Sequence, residues 1–535
     1  MFETELKFQV PAARAAAVRK AVATSTAVQT RLQALYVETT GHDLAAAGLA
    51  LRLRKEGRVW VQTLKGRGDG LMQRLEHEVR LPPQSGLPTL DPARHDGSAA
   101  GVLLRAALAR AREAGRPDEL RVLYRTDIRR TLRRVRHGGA WVELALDEGQ
   151  ILADGPPAAQ GEAAPPWKLP VCELEFELIS GPDTALAEIA ARWVARHGLW
   201  WDVRTKSERG FRLALQRHEV PAVRAGKQVL PPGEALAPAL AAMLQAALAQ
   251  ALPNLAEIAG ATGPRPAAPE HLHQLRVGIR RLRSALHLFA AWGGDEAAPA
   301  LTLESRWREV FAALGAARDA DVLAATWMPR LAAAGAPPLP PALAATPAQA
   351  GCAPQRQLQS AGVSVLLLDT LALSLRLAQA PQLPAKPVSR QAAAREVLRA
   401  AWKRAWRDAA GFAGAPVPQQ HRARKRLKRL RYALEFVTPL LPPKPLKRWH
   451  GLLAEALQAL GDYNDLQTAR GHYDALILVK NQPETALAAA WAAGWLAAHQ
   501  PGAAARAVQA LAALKAAPVP WKPRSQHDRA PKAQR

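Results

Sequence analysis

Carboxylates recur at every second residue in several short segments of this chain: Glu3 and Glu5, Glu76 and Glu78, and Glu173, Glu175 and Glu177. In an extended strand, residues i and i+2 point to the same face, so each set crowds like charges together. Such crowding repels unless a cation sits among the acids. Clustered carboxylates are hard oxygen ligands suited to Mg²⁺ or Mn²⁺. Other segments set basic groups on one face in the same manner, notably Arg52 with Arg54, while Lys7 continues the Glu3/Glu5 face. Guanidinium and ammonium groups suit phosphate oxygens. The two kinds of face together could hold a metal-bound polyphosphate.

The elements that must position these groups show period-2 alternation. In 2–10, Phe2, Thr4, Leu6, Phe8 and Val10 oppose Glu3, Glu5 and Lys7; in 171–179, Cys172, Leu174, Phe176 and Leu178 oppose the three glutamates. Further strands are expected at 34–40, 49–55, 58–65, 73–80, 123–134 and 140–147, with helical stretches near 11–23, 100–114 and 183–197 and a Pro/Gly loop at 154–170. A half-solvated antiparallel sheet explains any one such strand. It explains eight less well, because Glu and Asp are poor strand formers. A barrel closed with these faces inward would have a charged bore, and the intervening helices would cover its apolar outside.

From about residue 218 the segments become long, Ala/Leu-rich and of period 3.6, with Pro-rich breaks at 336–347, 381–388 and 439–445. His273, Arg276, Arg280, Arg283 and His287 step by three and four along one helix face, and His421, Arg424, Lys428, Arg431 and Glu435 repeat the spacing. The echo continues from Leu314-Gly315-Ala-Ala-Arg318-Asp319 to Leu460-Gly461-Asp-Tyr-Asn464-Asp465, which indicates a duplicated helical unit. A face this dense in like charge destabilises an isolated helix, and an anionic partner would relieve it. Lys and Arg number 33 against 27 Asp and Glu in residues 1–220, and 39 against 19 in 221–535, so most of the excess lies in the second part. Residues 421–431 contain no aromatic to stack a base, so a phosphate chain fits better than nucleic acid. On the first repeat's face the His or carboxylate that accompanies His273 is His287, several turns away, so His273 and His421 read as phosphate contacts or packing residues. The Arg318-Asp319-x-Asp321 segment reads as helix-ordering ion pairs, and Asn464 breaks its match in the second repeat.

The composition excludes several classes. Among 535 residues there are two cysteines, Cys172 and Cys352, far apart, which fits a reducing compartment and no disulfide framework. The MFETELKFQV start lacks a signal-peptide pattern. The most apolar stretch, Ala235 to Leu252, is interrupted by Pro238, Gln245 and Gln250 and reads as too short and broken to cross a bilayer. No nucleophile triad is visible, and Cys172 falls on an apolar strand face as a core thiol. These features imply a cytoplasmic protein with no membrane partner.

The first part resembles the CYTH domains, or triphosphate tunnel metalloenzymes. Glu3-Thr-Glu5-Leu-Lys7 matches their ExExK signature, and Tyr36-Val-Glu-Thr39, Leu51-Arg52-Leu-Arg54, Thr63-Leu-Lys65, Arg74-Leu-Glu76-His-Glu78, Arg130, Ala145-Leu-Asp147-Glu-Gly149, Cys172-Glu173-Leu-Glu175-Phe-Glu177 and Thr205-Lys206-Ser-Glu-Arg209-Gly210 follow in order. The second part resembles the CHAD domain through His273-x-x-Arg276-Val-x-x-Arg280-Arg281-Leu-Arg283 and Leu314-Gly315-x-x-Arg318-Asp319-x-Asp321-Val322. The resemblance implies an α+β domain, an eight-stranded antiparallel β tunnel with flanking helices, followed by an all-α domain of duplicated helical bundles. The corresponding boundaries are 1–217 for the tunnel, 218–234 for a linker, 235–515 for the helical domain and 516–535 for a disordered basic tail.

It also implies roles. Glu3, Glu5, Glu173 and Glu175 would bind Mg²⁺ or Mn²⁺, and Glu76 and Asp147 would complete a second metal or orient water. Lys7, Arg52, Arg54, Lys65, Arg130 and Lys206 would hold phosphates, Lys206 standing with Glu76 and Asp147 in the catalytic set. Glu78, Arg74, Arg125 and Arg133 are further candidates, and the register of the phosphate-binding arginines in 125–134 is open. The implied reaction is hydrolysis of inorganic triphosphate to pyrophosphate and phosphate. An adenylate cyclase or thiamine triphosphatase on the same tunnel, or a non-catalytic polyphosphate-binding protein, are alternatives. His273, Arg276, Arg280, Arg283, His421, Arg424, Lys428 and Arg431 would bind polyphosphate, which would place the protein at polyphosphate granules.

Overall fold

The computed structural model describes residues 2–521 except 69, 85, 156–165, 218, 262–266, 339–353, 381–388 and 480–482. Cys352, the break at 381–388 and residues 156–165 lie outside the described residues; the loop expected at 154–170 ends early, because a strand begins at Trp167.

Eight strands, β1 (Phe2–Gln9), β2 (Val28–Glu38), β3 (Leu49–Glu56), β4 (Val59–Arg67), β5 (Gln73–Arg80), β6 (Arg121–His137), β7 (Ala140–Ala153) and β8 (Trp167–Ser180), pair in the order β5-β4-β3-β2-β6-β7-β8-β1. Strand β1 also pairs with β5, so the antiparallel sheet closes on itself and leaves no long edge unpaired. A short strand, β9 (Trp200–Trp201), adds to β1.

The outward faces carry the apolar residues. Leu49, Leu51, Leu64 and Leu75 pack beneath Leu104 and Leu108 of helix Ala99–Glu113. On the other side the Phe8 and Phe176 rings meet edge to face at 5.6 Å, and Trp193 of helix Asp183–His197 lies 6.1 Å from Phe176. Cys172, half-buried on the outer face, has its thiol pushed up to about 11 by burial.

Helix Lys206–Ala214 was not expected from periodicity. Its start is fixed by a capping box: the Glu208 amide donates to Thr205 Oγ1 at 3.0 Å, and the Thr205 amide donates to the Glu208 carboxylate at 2.8 Å. Phe211, Leu213 and Ala214 pack among Leu32, Tyr36, Tyr124 and Ile128. This apolar group occupies part of the barrel interior, and the charged part lies beyond it. A Cβ on Gly210 would overlap the Tyr124 ring, so only glycine permits the helix to approach this closely.

The rest of the described chain is helical, the principal helices being Leu236–Ala259, Pro269–Leu288, Ala297–Ala313, Ala361–Gln379, Arg390–Ala409, Val417–Val437, Pro443–Ile477 and Pro483–Ala516. Ala and Leu give strong intrinsic helix propensity. The two sequence repeats diverge at their second block: the helix breaks at Leu314, whereas Leu460-Gly461 runs unbroken within Pro443–Ile477. Among the described residues the chain forms two compact units. One comprises Met1–Arg224, Leu248–Leu275 and Gln355–Leu375; the other comprises Ala225–Ala247, Arg276–Pro354 and Arg376–Arg535.

Two further sequence expectations need correction. The stretch from Ala235 is not broken short: Leu236–Ala259 is one helix of 24 residues, and it and Ala361–Gln379 are long and apolar enough to cross a membrane, though 56% and 67% of their apolar windows are buried in the protein. Pro238 falls in the first turn, where its missing N–H breaks no intrahelical bond, and Pro253 lies within the helix. Part of the expected disordered tail is ordered, since Trp521 is 2% exposed and its ring lies 5.0 Å from that of Trp449 and 5.9 Å from that of Trp402. Residues 522–535 lie outside the described residues. Removing such a ring opens a large cavity, so Trp521→Ala should destabilise its unit by about 3–5 kcal/mol. Urea unfolding followed by tryptophan fluorescence checks this, and an unchanged midpoint would contradict it.

Candidate active site in the barrel and basic cluster in the helices

Three carboxylates and three cations meet on β6, β7, β8 and helix Lys206–Ala214. Asp147, 1% exposed, accepts two bonds from Arg130 at 2.6 Å each and faces Lys206 at 2.7 Å. Glu175 accepts from Lys206 at 2.8 Å and from Arg130 at 2.6 Å. Glu173, fully buried, pairs with Lys206 and Arg209. Oxygens of Asp147, Glu173 and Glu175 lie within 4.8 Å of one another. Burial alone would raise the Asp147 and Glu175 carboxyls and lower the Lys206 amine. The opposite charges outweigh it, holding Asp147 and Glu175 below the usual carboxylate range and Lys206 above the usual lysine range.

A second group lies on β1, β3, β4 and β5. Lys65 bridges Glu3 at 3.2 Å and also pairs with Glu76. Burial opposes its charge, but Glu76, Glu3 and Glu5 outweigh it and raise its pKa. Arg74 faces Glu5 at 3.4 Å, and Arg54 pairs with Glu78 at 3.0 Å. Arg52 donates to the Tyr36 hydroxyl at 3.1 Å. Glu177, half-buried, has its carboxyl raised by burial and then by Glu143, with Glu5 and Glu76 adding to it.

The four carboxylates that the resemblance assigns to metal, Glu3, Glu5, Glu173 and Glu175, contact different cations. Antiparallel pairing sets Lys7 against Glu175, Gln9 against Glu173, and Glu5 against Glu177. Glu3 and Glu5 contact Lys65 and Arg74, while Glu173 and Glu175 meet Lys206 beside Asp147. The open register at 125–134 closes as well. Arg130 turns to the acidic trio, whereas Arg133 donates to the Ala21 carbonyl at 2.6 Å and Arg125 pairs with Asp154.

Lys7 is placed differently from the other cations. Its amine donates to the backbone carbonyl of Arg204 rather than to a carboxylate. Burial lowers its pKa, and Glu173 only partly opposes this. Asp202, which the sequence reading missed, is fully buried beside it and accepts from Gln9 at 3.0 Å. It follows β9 in an irregular segment, where no periodicity marks it.

In the second unit the two repeats bring their basic helices together. Arg276 donates to the Phe311 carbonyl at 2.9 Å and lies 4.1 Å over the Phe311 ring. Burial and then Arg280 push its pKa down to about 10. Lys428 is pushed down to about 6 by burial, then by Arg280 and Arg424, with Asp465 opposing. Arg424 faces Asp465 at 3.6 Å, Arg431 faces Glu435 at 3.3 Å, and Arg283 is tied to Glu304 at 2.8 Å. His421 shares a 2.8 Å hydrogen bond with Asn464, and His273 sits one turn before Arg276 on helix Pro269–Leu288. Arg318 and Asp321 form an i, i+3 ion pair at 3.9 Å.

A family model described as the CYTH domain matches residues 1–210, and one described as the CHAD domain matches residues 242–474. The chain is a CYTH–CHAD protein. An inorganic triphosphatase of Haemophilus influenzae is 26% identical over 190 residues, which cover 34% of this chain and 46% of that protein. The CYTH–CHAD chain thus spans less than half the length of this relative. The crystal structure of the CHAD domain from the plant Ricinus communis is 32% identical, with a TM-score of 0.46, covering 55% of this chain and 97% of that one. A protein of Hippeastrum, proposed as an adenylyl cyclase and showing a dominant triphosphatase activity, is 20% identical, with a TM-score of 0.26, covering 39% and 95%.

The CYTH barrel's acidic trio fits a hard divalent cation in its chemistry, since all its donors are carboxylate oxygens. Those oxygens are engaged by Lys206, Arg130 and Arg209. An incoming phosphate would compete for these same cations and release carboxylate oxygens.

Proposed function

We propose that the barrel hydrolyses inorganic triphosphate to pyrophosphate and phosphate with Mg²⁺ or Mn²⁺, and that the basic helices bind polyphosphate. The observation that carries the first part is the buried assembly of Asp147, Glu173 and Glu175 with Arg130, Lys206 and Arg209 inside a closed barrel. Asp147, Glu173 and Glu175 would hold the metal, which when bound would supply charge neutralisation and activation of an attacking water. Lys206 and Arg130 exchange their carboxylate partners for phosphate oxygens. Lys7, held by a carbonyl, meets a phosphate without first breaking an ion pair. Arg52 and Arg54 neutralise charge gathering on the leaving pyrophosphate. Glu76, tied to Lys65, orients water or a second metal.

The crowding of Arg276, Arg280, Arg424 and Lys428 supports polyphosphate as the helical partner, because their mutual repulsion falls when an anion enters. This reading places the protein in the cytoplasm, at polyphosphate granules.

Phosphate release from inorganic triphosphate, ATP and thiamine triphosphate tests the proposal, with Mg²⁺ or Mn²⁺ and with chelator. Turnover of inorganic triphosphate should vanish with chelator and fall about 100-fold or more in Glu173→Gln. Preference for ATP or thiamine triphosphate would move the activity to a nucleotide or thiamine enzyme on the same barrel. No turnover of any substrate, with tight polyphosphate binding, would leave a binding protein.

A further inference from the structure

Arg204 links Lys7 and Asp202 to a helix end outside the strands. Its backbone carbonyl receives the Lys7 amine. Its guanidinium meets both oxygens of Asp202, Nε donating to Oδ1 at 2.9 Å and Nη2 to Oδ2 at 2.9 Å, while its amide donates to Oδ1 at 3.0 Å. From behind, Arg204 Nη1 donates to the Gly260 carbonyl at 3.2 Å and lies 4.0 Å from Glu257, which in turn accepts from Arg212 at 2.9 Å. Glu257 and Gly260 close the C-terminal end of helix Leu236–Ala259, where the helix dipole favours a cation. Both lie within the CHAD match, residues 242–474.

We infer that Arg204 is a positioning residue for phosphate binding in the barrel, held in place by Glu257 and the Gly260 carbonyl, so that a helix end of the CHAD match sets how Lys7 is presented. The physical argument concerns Asp202. While Arg204 occupies both its oxygens, the buried carboxylate is satisfied, and Lys7 is left to a neutral carbonyl. Once Arg204 is displaced, Asp202 becomes an uncompensated buried charge next to Lys7 and takes the amine as its partner. Lys7 is then withdrawn from phosphate. The inference rests on the reading that Lys7 binds a phosphate of the substrate.

Gly260 supplies a clean test. A Cβ there would overlap the Arg204 guanidinium, so Gly260→Ala displaces that head without deleting a polar group from the barrel. Glu257→Gln is the milder second variant and leaves the Gly260 carbonyl intact. Two readouts are taken on the full chain: kcat and KM for inorganic triphosphate, and Kd for inorganic triphosphate in chelator by calorimetry. In Gly260→Ala, KM and Kd should rise about tenfold or more, the worth of one charged hydrogen bond, with kcat within about twofold. Glu257→Gln should move both constants the same way by less. Equal loss in kcat and kcat/KM, or wild-type constants in both variants, would overturn the inference. If the wild-type protein neither binds nor hydrolyses triphosphate, the reading of the barrel itself falls, a result distinct from either of those.

Discussion

Lys206→Ala is expected to reduce triphosphate hydrolysis below about 1% of wild type and to destabilise the barrel by about 3–5 kcal/mol. Lys206 contacts all three members of the buried trio, reaching Asp147 at 2.7 Å and Glu175 at 2.8 Å, and pairing with Glu173. Without it, three carboxylates share Arg130 and Arg209. Two oppositely charged groups at this separation attract strongly in a poorly solvated interior, and losing one partner strands the rest. The sign of the pH effect follows. Asp147 and Glu175 sit below their ordinary values in the native state, so they contribute stability above the unfolded carboxylate range near pH 4, and this is lost as pH falls through their lowered native values. In Lys206→Ala those values rise, and acid unfolding should begin at higher pH. Urea titrations at pH 7 and pH 4.5 read both effects. A variant as stable as wild type, with wild-type turnover, would remove Lys206 from the centre of the site.

The second large effect concerns the helices. Arg280→Ala with Arg424→Ala should weaken polyphosphate binding about 100-fold or more, taking about 1.5–3 kcal/mol for each charged contact. Lys428 adds a pH signature. Its pKa is pushed down to about 6 by burial and by Arg280 and Arg424, and a bound anion would return it toward the ordinary lysine value. Binding must then take up a proton between those two limits. Affinity should rise as pH falls from about 9 toward 6 and level off below. The unliganded fold shows the converse: the unfolded chain binds the proton more readily across that range, so this group's contribution to stability increases with pH. Lys428→Met should flatten the pH dependence of binding. Calorimetry in two buffers of different ionisation enthalpy measures the proton directly, and equal enthalpies at pH 7.5 would contradict it.

The charged strand faces were legible in the sequence because period 2 is a strong signal when acids, poor strand formers, hold it. The eight strands and the helices that cover them follow from that pattern. The partners of those acids were not legible. Which residue of β1 stands beside Glu173 depends on a register set by many weak ladder contacts, and the result, Gln9, belonged to no motif. Asp202 and Arg204 lie in an irregular segment, and their importance comes from a helix end more than fifty residues later in sequence. Arg209 was part of a quoted motif but carried no role, since only the fold shows that it reaches Glu173. Trp521 was concealed by composition, one ring among prolines and basic residues.

The closure of the barrel bears on how the protein is made. Strand β1 pairs with β5 on one side and β8 on the other, and its Gln9 meets Glu173 across a sequence separation of 164 residues. Strand β8, the last of the eight in sequence, is therefore the stave that closes the barrel, because it must pair with β7 on one side and β1 on the other. Until then β1 presents an unpaired edge with Leu6 and Phe8 uncovered, and contacts of such long range form slowly. A chain without β8 would be a ring with one gap, and unpaired strand edges of that kind make partly folded chains prone to aggregate.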